Sequence, residues 1–450
     1  MRIFLATSIG AACTTALMLP FVLPLGATAS APHAAGSAPR PGSTQSLPLA
    51  PSERTATGRP DSAGRNLPAR DVKPYSLVGV VWKDAAADLH ARVQVRNRPT
   101  GGAAWSRWQD VQAHNDDAAD PGSAERRSGR VRGSTAPLWV GDSDGVELRV
   151  SPEASDRGAH RPLPAGLRLE LVNPGGAGGT TPAAPAEHAG RAVPAPPPPP
   201  LDEWGDQPAA DHATTGATGE GREGEAMEGE ARTDETAADG APLRPGQNPY
   251  IGERPEIVSR AGWGADETLR EQTLGYTRTV KAAFVHHSAT GNNYTCAEAP
   301  SVIRAIYRYH VKSSGWRDMG YNFLIDKCGT IYEGRAGGVT KAVMGAHTLG
   351  FNTDSTGIAA LGTYTDDEPP AAVLTAIAKL TAWKLGLYGA NPRGVVTLVS
   401  AGSNKFAKGA KVQLNVISGH RDGVATACPG DRLYDRMGAA RTASARLQGR

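Results

Sequence analysis

Two residues near the C-terminus and one further upstream have side chains that suit a metal ion. His420 and Cys428 lie in GHRDGVATACPGD, and Pro429-Gly430 after the cysteine predict a turn that folds this segment back on itself. His286 ends a short apolar run and is the expected third ligand. Imidazole and thiolate suit Zn²⁺, and three such ligands leave one position for a water molecule whose pKa falls to roughly 7.

Each of these side chains also has an ordinary structural interpretation. A histidine taken alone is more often a polar contact, and a buried cysteine taken alone is more often an inert thiol. The chain has four cysteines, of which Cys13 falls in a predicted leader. In an oxidising compartment Cys296 would pair with Cys328, which leaves Cys428 for the metal. A disulfide from Cys428 to either of the others would instead destroy the site.

The hydrophobic pattern predicts the elements that position these residues. KAAFVHHSA, residues 281–289, predicts a buried strand, in which the adjacent His286 and His287 point to opposite faces. Thr295 and Glu298 have the spacing of a capping box at the start of a helix. Further patterns predict a hairpin at 320–335, a strand at 356–364 and a helix at 370–386. Over residues 249–450 this order predicts a mixed α/β domain with helices packed on a central sheet.

The N-terminal part of the chain has a different texture. Residues 1–29 predict a secretory signal peptide that ends in an A-x-A-like site, and Pro20 and Pro24 argue against a membrane anchor. Residues 30–70 predict disorder. Short alternating runs over 71–175 predict a small all-β domain, which we expect to be a sandwich. Its WSRWQDV segment could stack on a sugar, but we favour ordinary packing.

Composition limits the remaining classes of function. The chain contains 54 glycines and 35 prolines with 6% aromatic residues, which indicates long segments that bury little apolar surface. Residues 176–248 are the clearest case, a Pro/Gly/acidic linker that includes PAPPPPP. The formal net charge of +3 lacks the clustered cations of a nucleic-acid binder, so we expect no nucleic-acid partner.

Several motifs in the C-terminal part carry a family resemblance. They are, in chain order, SRAGWGAD (259–266), FVHHSAT (284–290), GWRDMGYNFLID (315–326), YEGRAGG (332–338), GAHTLGFNTDSTGIAALG (345–362) and GHRDGVATACPGD (419–431). Over about residues 254–440 the chain resembles the family of peptidoglycan recognition proteins and type 2 N-acetylmuramoyl-L-alanine amidases. Two departures stand out: Ala336-Gly337 where many relatives have Gly-Trp, and an added segment at 390–416 that looks like a hairpin.

The resemblance implies a role for seven residues of this chain. The zinc ligands would be His286, His420 and Cys428, the catalytic residues Tyr321 and Thr426, and the substrate-binding residues His347 and Asn352. The implied activity is that of a secreted or cell-wall-associated zinc hydrolase. It would cleave the amide bond between N-acetylmuramic acid and L-alanine in peptidoglycan. The alternatives are a non-catalytic peptidoglycan-binding protein and, less favoured, a zinc peptidase that cuts within the stem peptide.

Overall fold

The chain is described by a computed structural model over residues 41–51, 64–113, 117–153, 161–176 and 250–450. These residues all fall in one compact unit, 38–450. The predicted signal peptide at 1–29 and the predicted linker, apart from Gly176, lie outside the described residues. Within the described ranges, no helix is both long enough and apolar enough to cross a membrane.

The N-terminal domain is all-β, as the sequence predicts. Its strands are β1 (Ser43–Pro48), β2 (Ala50–Pro51), β3 (Arg65–Trp82), β4 (Ala91–Pro99), β5 (Gln109–Val111), β6 (Gly133–Ser134), β7 (Leu138–Pro152) and β8 (Arg168–Asn173). Among the described residues these eight strands join in one sheet with the order β1-β8-β3-β7-β4-β5, while β2 and β6 both pair with β3. Alternate residues of β3, β4 and β7 form its apolar core.

One prediction for this domain is wrong. Residues 30–70 were expected to be disordered, yet β1, β2 and the first part of β3 lie there. The reason is a weak hydrophobic signal: β1 is an edge strand whose residues are exposed or half-buried. The described strands are connected by hydrogen bonds in one sheet, because β3 spans 18 residues with register shifts that let it pair with four other strands.

The tryptophans of WSRWQDV pack under arginine side chains, which is the ordinary interpretation. The guanidinium of Arg96 lies 5.4 Å from the Trp105 ring centre and 5.2 Å from that of Trp108. Arg149 covers Trp108 at 4.2 Å. Each of the two rings thus has a guanidinium group at cation–π distance.

The C-terminal domain has the predicted mixed α/β architecture. Its strands are β9 (Ala282–His287), β10 (Phe323–Ile325), β11 (Ile331–Glu333), β12 (Ser355–Ala360), β13 (Val395–Val399), β14 (Lys411–Asn415) and β15 (Ile417–Gly419). Its helices are α1 (Ala299–Arg308), α2 (Ala371–Gly386), α3 (His420–Gly423), α4 (Asp431–Asp435) and α5 (Met437–Leu447). The central sheet has the order β11-β10-β12-β9-β15, in which β10, β12, β9 and β15 run parallel.

Several local predictions are confirmed in this domain. Thr295 and Glu298 form the capping box, and the 390–416 segment contains the β13-β14 hairpin. Cys296 and Cys328 form a disulfide with their Cα atoms 6.2 Å apart, and Cys428 is a buried free cysteine. Helices α2 and α5 pack together on one face of the sheet, where α2 buries its apolar side chains.

The two domains share a hydrophobic core. Leu77, Trp139 and Val172 of the N-terminal domain belong to the same buried cluster as Ile303 and Ile306 of α1. Hydrogen bonds flank this cluster, including one of 3.0 Å from the Trp139 N–H to the Thr290 carbonyl. The N-terminal domain is therefore packed directly against the domain that carries the predicted metal ligands.

Candidate metal centre

The three predicted ligands meet at the carboxyl end of the central parallel strands. His286 lies near the end of β9, and His420 follows the neighbouring parallel strand β15 directly, so the two chain segments leave the sheet at the same edge. Their ring centres are 4.3 Å apart. Cys428 returns to this edge through a loop that the Arg421 N–H closes by donating to the Cys428 carbonyl at 3.0 Å.

The geometry of these side chains fits a metal ion such as Zn²⁺. One ligand atom from each of His286, His420 and Cys428 lies within 4.8 Å of the others, and all three residues are 0% exposed. The Cys428 Sγ is 3.8 Å from Nδ1 of His286. Ligands at 2.0–2.3 Å from one tetrahedral ion are about 3.3–3.8 Å apart, so this distance matches a shared metal.

A hydroxyl group behind His286 sets the orientation of its ring. Nε2 of His286 lies 3.2 Å from Oγ1 of Thr348, which is in turn 2.9 Å from Nδ1 of His347. When Nε2–H donates to Thr348, the lone pair of Nδ1 faces Cys428 and is available to a metal. No sequence pattern singles out Thr348, although it directly follows the predicted His347.

Asp117 of the N-terminal domain also reaches the metal centre, and no sequence pattern pointed to it. Its Oδ1 lies 3.1 Å from Nδ1 of His286 and 3.6 Å from Nδ1 of His420. This oxygen is buried and accepts no hydrogen bond within the described ranges. Oδ2 accepts a hydrogen bond of 2.9 Å from the Tyr321 hydroxyl. A carboxylate oxygen left in this position beside two imidazole nitrogens is a further sign that a cation belongs between them.

Tyr321, the predicted catalytic tyrosine, lies beside the ligands with its ring centre 5.4 Å from that of His286. Burial and the nearby Asp117 carboxylate raise the pKa of Tyr321, so its hydroxyl keeps the proton and can donate a hydrogen bond. His310 packs against Tyr321 and Trp316, and its Nδ1 accepts the Gly320 N–H. Burial lowers the pKa of His310 to about 3, which keeps this ring neutral.

The remaining predicted residues lie around this centre. His347 and Asn352 are fully buried, and the Asn352 Oδ1 accepts the His347 N–H at 2.7 Å. Burial, together with the neighbouring His286, lowers the pKa of His347. Thr426 is half-buried, and its Oγ1 accepts the Cys428 N–H at 3.3 Å, so it braces the ligand loop. The Nδ1 of His287 accepts the Tyr364 N–H, on the other side of the strand from the predicted ligand His286.

Comparison with known proteins identifies both domains. The family described as "N-acetylmuramoyl-L-alanine amidase" matches residues 276–431, which include all three predicted ligands and Tyr321. The family described as "Rv3811 N-terminal galactose-binding domain-like" matches residues 31–186.

Similar proteins were also found among curated sequences and solved structures. Peptidoglycan-recognition protein SC2 of Drosophila simulans is 31% identical, over 40% of this chain and 84% of the relative. Peptidoglycan recognition protein 1 of Bos indicus is 33% identical, over 40% of this chain and 80% of the relative. The structure of wild-type Drosophila PGRP-LB matches 40% of this chain and 92% of its own, with 27% identity and a TM-score of 0.32. The chain therefore belongs to the family of peptidoglycan recognition proteins and N-acetylmuramoyl-L-alanine amidases.

Proposed function

We propose that this protein is a secreted, zinc-dependent N-acetylmuramoyl-L-alanine amidase that hydrolyses the amide bond between N-acetylmuramic acid and L-alanine. The observation that carries this proposal is the buried group of His286, His420 and Cys428, with the Tyr321 hydroxyl beside it. A protein that binds peptidoglycan without cleaving it would need a surface for the substrate but no metal ligands. A buried thiol among two imidazoles suits a metal better than it suits recognition.

The residues of the site supply distinct parts of the reaction. A Zn²⁺ ion held by the three ligands would polarise the amide carbonyl and lower the pKa of a water molecule at the open position. Tyr321 keeps its proton and can donate a hydrogen bond to the oxygen on which negative charge develops. Thr348 fixes the ring of His286, and Thr426 supports the loop of Cys428. We propose that His347 and Asn352 belong to the wall that receives the substrate.

Digestion of peptidoglycan followed by mass spectrometry tests the activity. The zinc-loaded protein should release stem peptides with a new N-terminal alanine, and a chelator should abolish this release. The digestion is run with the wild-type chain and with Asp117→Ala, since the Asp117 carboxylate lies at the metal centre. New ends within the stem peptide would indicate a peptidase. The digestion is repeated with Gly79→Val, whose added side chain would overlap the Tyr309 ring between the two domains, and intact muropeptides from all three zinc-loaded proteins would overturn the catalytic proposal.

Single substitutions at the ligands connect the activity to this site. Cys428→Ser replaces the thiolate by a hydroxyl of similar shape and should lose both bound zinc and hydrolysis. A matched control for His286→Ala is His90→Ala, which removes a half-buried histidine of the N-terminal domain. Zinc content is measured by elemental analysis of the purified variants. If Cys428→Ser retained full zinc and full activity, the proposed ligand set would be wrong.

The proposal of secretion rests on the predicted signal peptide and on the Cys296–Cys328 disulfide, which suits an oxidising compartment. N-terminal sequencing of the protein recovered from culture medium should start at Ser30. Protein that stays in the cell and begins at Met1 would contradict this part of the proposal.

A further inference from the structure

A segment of the N-terminal domain lies on the catalytic face of the C-terminal domain. We call residues 117–125 the groove segment. Its first part bonds to Asn352, whose Nδ2 donates to the Ala118 carbonyl at 2.9 Å and to Oδ1 of Asp120 at 2.6 Å. The same Asp120 oxygen accepts the Gly350 N–H at 2.8 Å. The groove segment therefore accepts the hydrogen bonds that the Asn352 side chain and the nearby Gly350 N–H could otherwise donate to a substrate.

The far end of the groove segment forms a buried ion pair. The two carboxylate oxygens of Glu125 accept hydrogen bonds of 2.9 and 3.0 Å from the Arg335 guanidinium. Oε1 of Glu125 also accepts the Arg317 N–H at 3.0 Å. The side chains of Glu125 and Arg335 are 8% and 9% exposed, so water does not replace this contact.

The near end of the groove segment makes the contacts that a reacting amide would need. Oδ1 of Asp117 faces Nδ1 of His286 and of His420, while Oδ2 accepts the Tyr321 hydroxyl. One oxygen thus lies on the metal side and the other on the oxyanion side of the site. Neighbouring ligands of one tetrahedral ion are about 3.3–3.8 Å apart, so the distance of 3.6 Å lies within this range and that of 3.1 Å lies just below it. The carboxylate therefore lies beside both of the predicted imidazole ligands.

The groups of the predicted catalytic site are buried in the docked protein. Tyr321 is 2% exposed, and His286, Asn352 and Cys428 are 0% exposed in the docked protein. A polymeric substrate would reach these groups only in those molecules in which the two domains have moved apart. The docking is also fixed away from the groove, because the Tyr309 hydroxyl donates to the Thr135 carbonyl at 3.2 Å and its ring lies against Gly79 of β3.

We propose that Asp117 is the fourth protein ligand of the metal and that the groove segment is an internal occupant of the substrate groove. The N-terminal domain then holds the amidase closed until it moves away. This inference rests on the proposed metal centre. It adds that the metal has no position for water in the closed chain and that an acidic segment of the same chain competes with the peptidoglycan stem.

Cobalt spectroscopy tests the fourth ligand without any need for hydrolysis. In the full chain loaded with Co²⁺, azide should leave the visible spectrum unchanged, because four protein ligands fill the tetrahedron. Asp117→Ala should open one position, so that azide shifts the bands and binding of Co²⁺ weakens about tenfold or more. Asp117→Asn, which keeps the size of the side chain, separates loss of the ligand from loss of packing. Asp110→Ala is the matched control, since this exposed aspartate of the same domain pairs with Arg92.

A remote variant tests the groove segment without touching the site. A Cβ atom at Gly79 would overlap the Tyr309 ring, so Gly79→Val should push the domains apart. We expect azide-sensitive Co²⁺ bands and about tenfold or greater release of alanine-ended peptides from this variant. Gly102→Ala is its control, because the nearest atom to that Cβ is 3.1 Å away and belongs to the same turn.

The outcomes separate this inference from the proposed function. A wild-type Co²⁺ spectrum that responds to azide as fully as that of Asp117→Ala would overturn the fourth ligand. Folded Gly79→Val that hydrolyses no faster than wild type would overturn the closed state. A chain that binds no metal at all would instead contradict the proposed metal centre, and with it the proposed function.

Discussion

The two ends of the groove segment contact the C-terminal domain in different ways. At Glu125 both carboxylate oxygens accept hydrogen bonds from Arg335, and the Arg317 N–H adds a third. At Asp117 one oxygen accepts the Tyr321 hydroxyl, whereas the other lies beside two imidazole nitrogens without accepting a hydrogen bond in the described part of the chain. The Glu125 end is thus complete as a protein contact, whereas at the Asp117 end a cation between the carboxylate and the imidazole nitrogens would supply the partner that Oδ1 lacks.

This difference links metal binding to the closed state. A metal that binds Asp117 as well as the three ligands of the C-terminal domain stabilises the docked arrangement, and docking in turn strengthens metal binding. The Glu125 end contributes docking that does not depend on the metal. Variants at the two ends should therefore differ in whether metal changes their effect.

The largest expected effect comes from breaking the Glu125 end. Glu125→Gln leaves the Arg335 guanidinium buried without its charge partner, which should lower the free energy of unfolding by about 3–5 kcal/mol. The double variant Glu125→Gln/Arg335→Met removes both charges and should recover much of this loss. Urea denaturation of the chelator-treated proteins measures both. Equal losses in the single and double variants would show that the charge pair is not the cause.

The stabilisation that added Zn²⁺ provides should distinguish a variant at the Asp117 end from a variant at the Glu125 end. A free metal concentration of one hundred times the dissociation constant stabilises a protein that binds the metal only when folded by about 2.7 kcal/mol. We expect most of this gain in the wild type and in Glu125→Gln, because both keep Asp117. In Asp117→Asn the gain should shrink, because the affinity for metal falls. Thermal unfolding with and without Zn²⁺ compares the three proteins, and an undiminished gain in Asp117→Asn would contradict the role of Asp117.

Thr348 gives a prediction on the C-terminal side of the same metal centre. Thr348→Val removes the hydroxyl that orients His286 and should weaken metal binding about 10–100-fold. Thr356→Val is a matched control, since Thr356 is 1% exposed and its Oγ1 has no hydrogen-bond partner within the described ranges. Competition with a chromophoric chelator measures the dissociation constants. Equal affinity in the two variants would exclude an orienting role for Thr348.

The sequence predicted more features of the C-terminal domain than of the N-terminal domain. In the C-terminal domain the apolar periodicity and the capping box predicted β9, β12, α1 and α2, because each buries a face whose spacing is visible in the chain. His286, His420 and Cys428 could be grouped because imidazole and thiolate have few other reasons to meet at a strand end. The structure brings these three together as expected.

Asp117 could not be predicted, and the reason is physical. It lies outside any regular element, in a domain whose sequence carries no catalytic motif, and its role depends on how the domains dock. That docking depends on Leu77, Trp139 and Val172, which in the sequence are indistinguishable from residues of a strand's own core. Glu125 and Arg335 are likewise 210 positions apart, so only the folded chain pairs them. Thr348 differs, because its position next to His347 was a usable signal.

The smallest expected effect is the pH dependence of the Glu125 end. Burial alone would raise the pKa of Glu125, but the charge and hydrogen bonds of Arg335 outweigh it, so the pKa is lowered. A carboxyl with a lowered pKa in the folded protein contributes stability above its ordinary pKa of about 4.3, and this contribution is lost as pH falls through the lower folded value.

The difference in unfolding free energy between the wild type and Glu125→Gln isolates this contribution. It should stay constant from pH 7 to about 5 and decrease below about 4.3. Burial raises the pKa of Asp120, which acts in the opposite direction, but Asp120 is present in both proteins and its effect cancels in the difference. A difference that grows as the solution is acidified would mean that Glu125 is protonated in the closed state. The stability of the Glu125 end would then depend on a bound proton, as the stability of the Asp117 end depends on a bound metal ion.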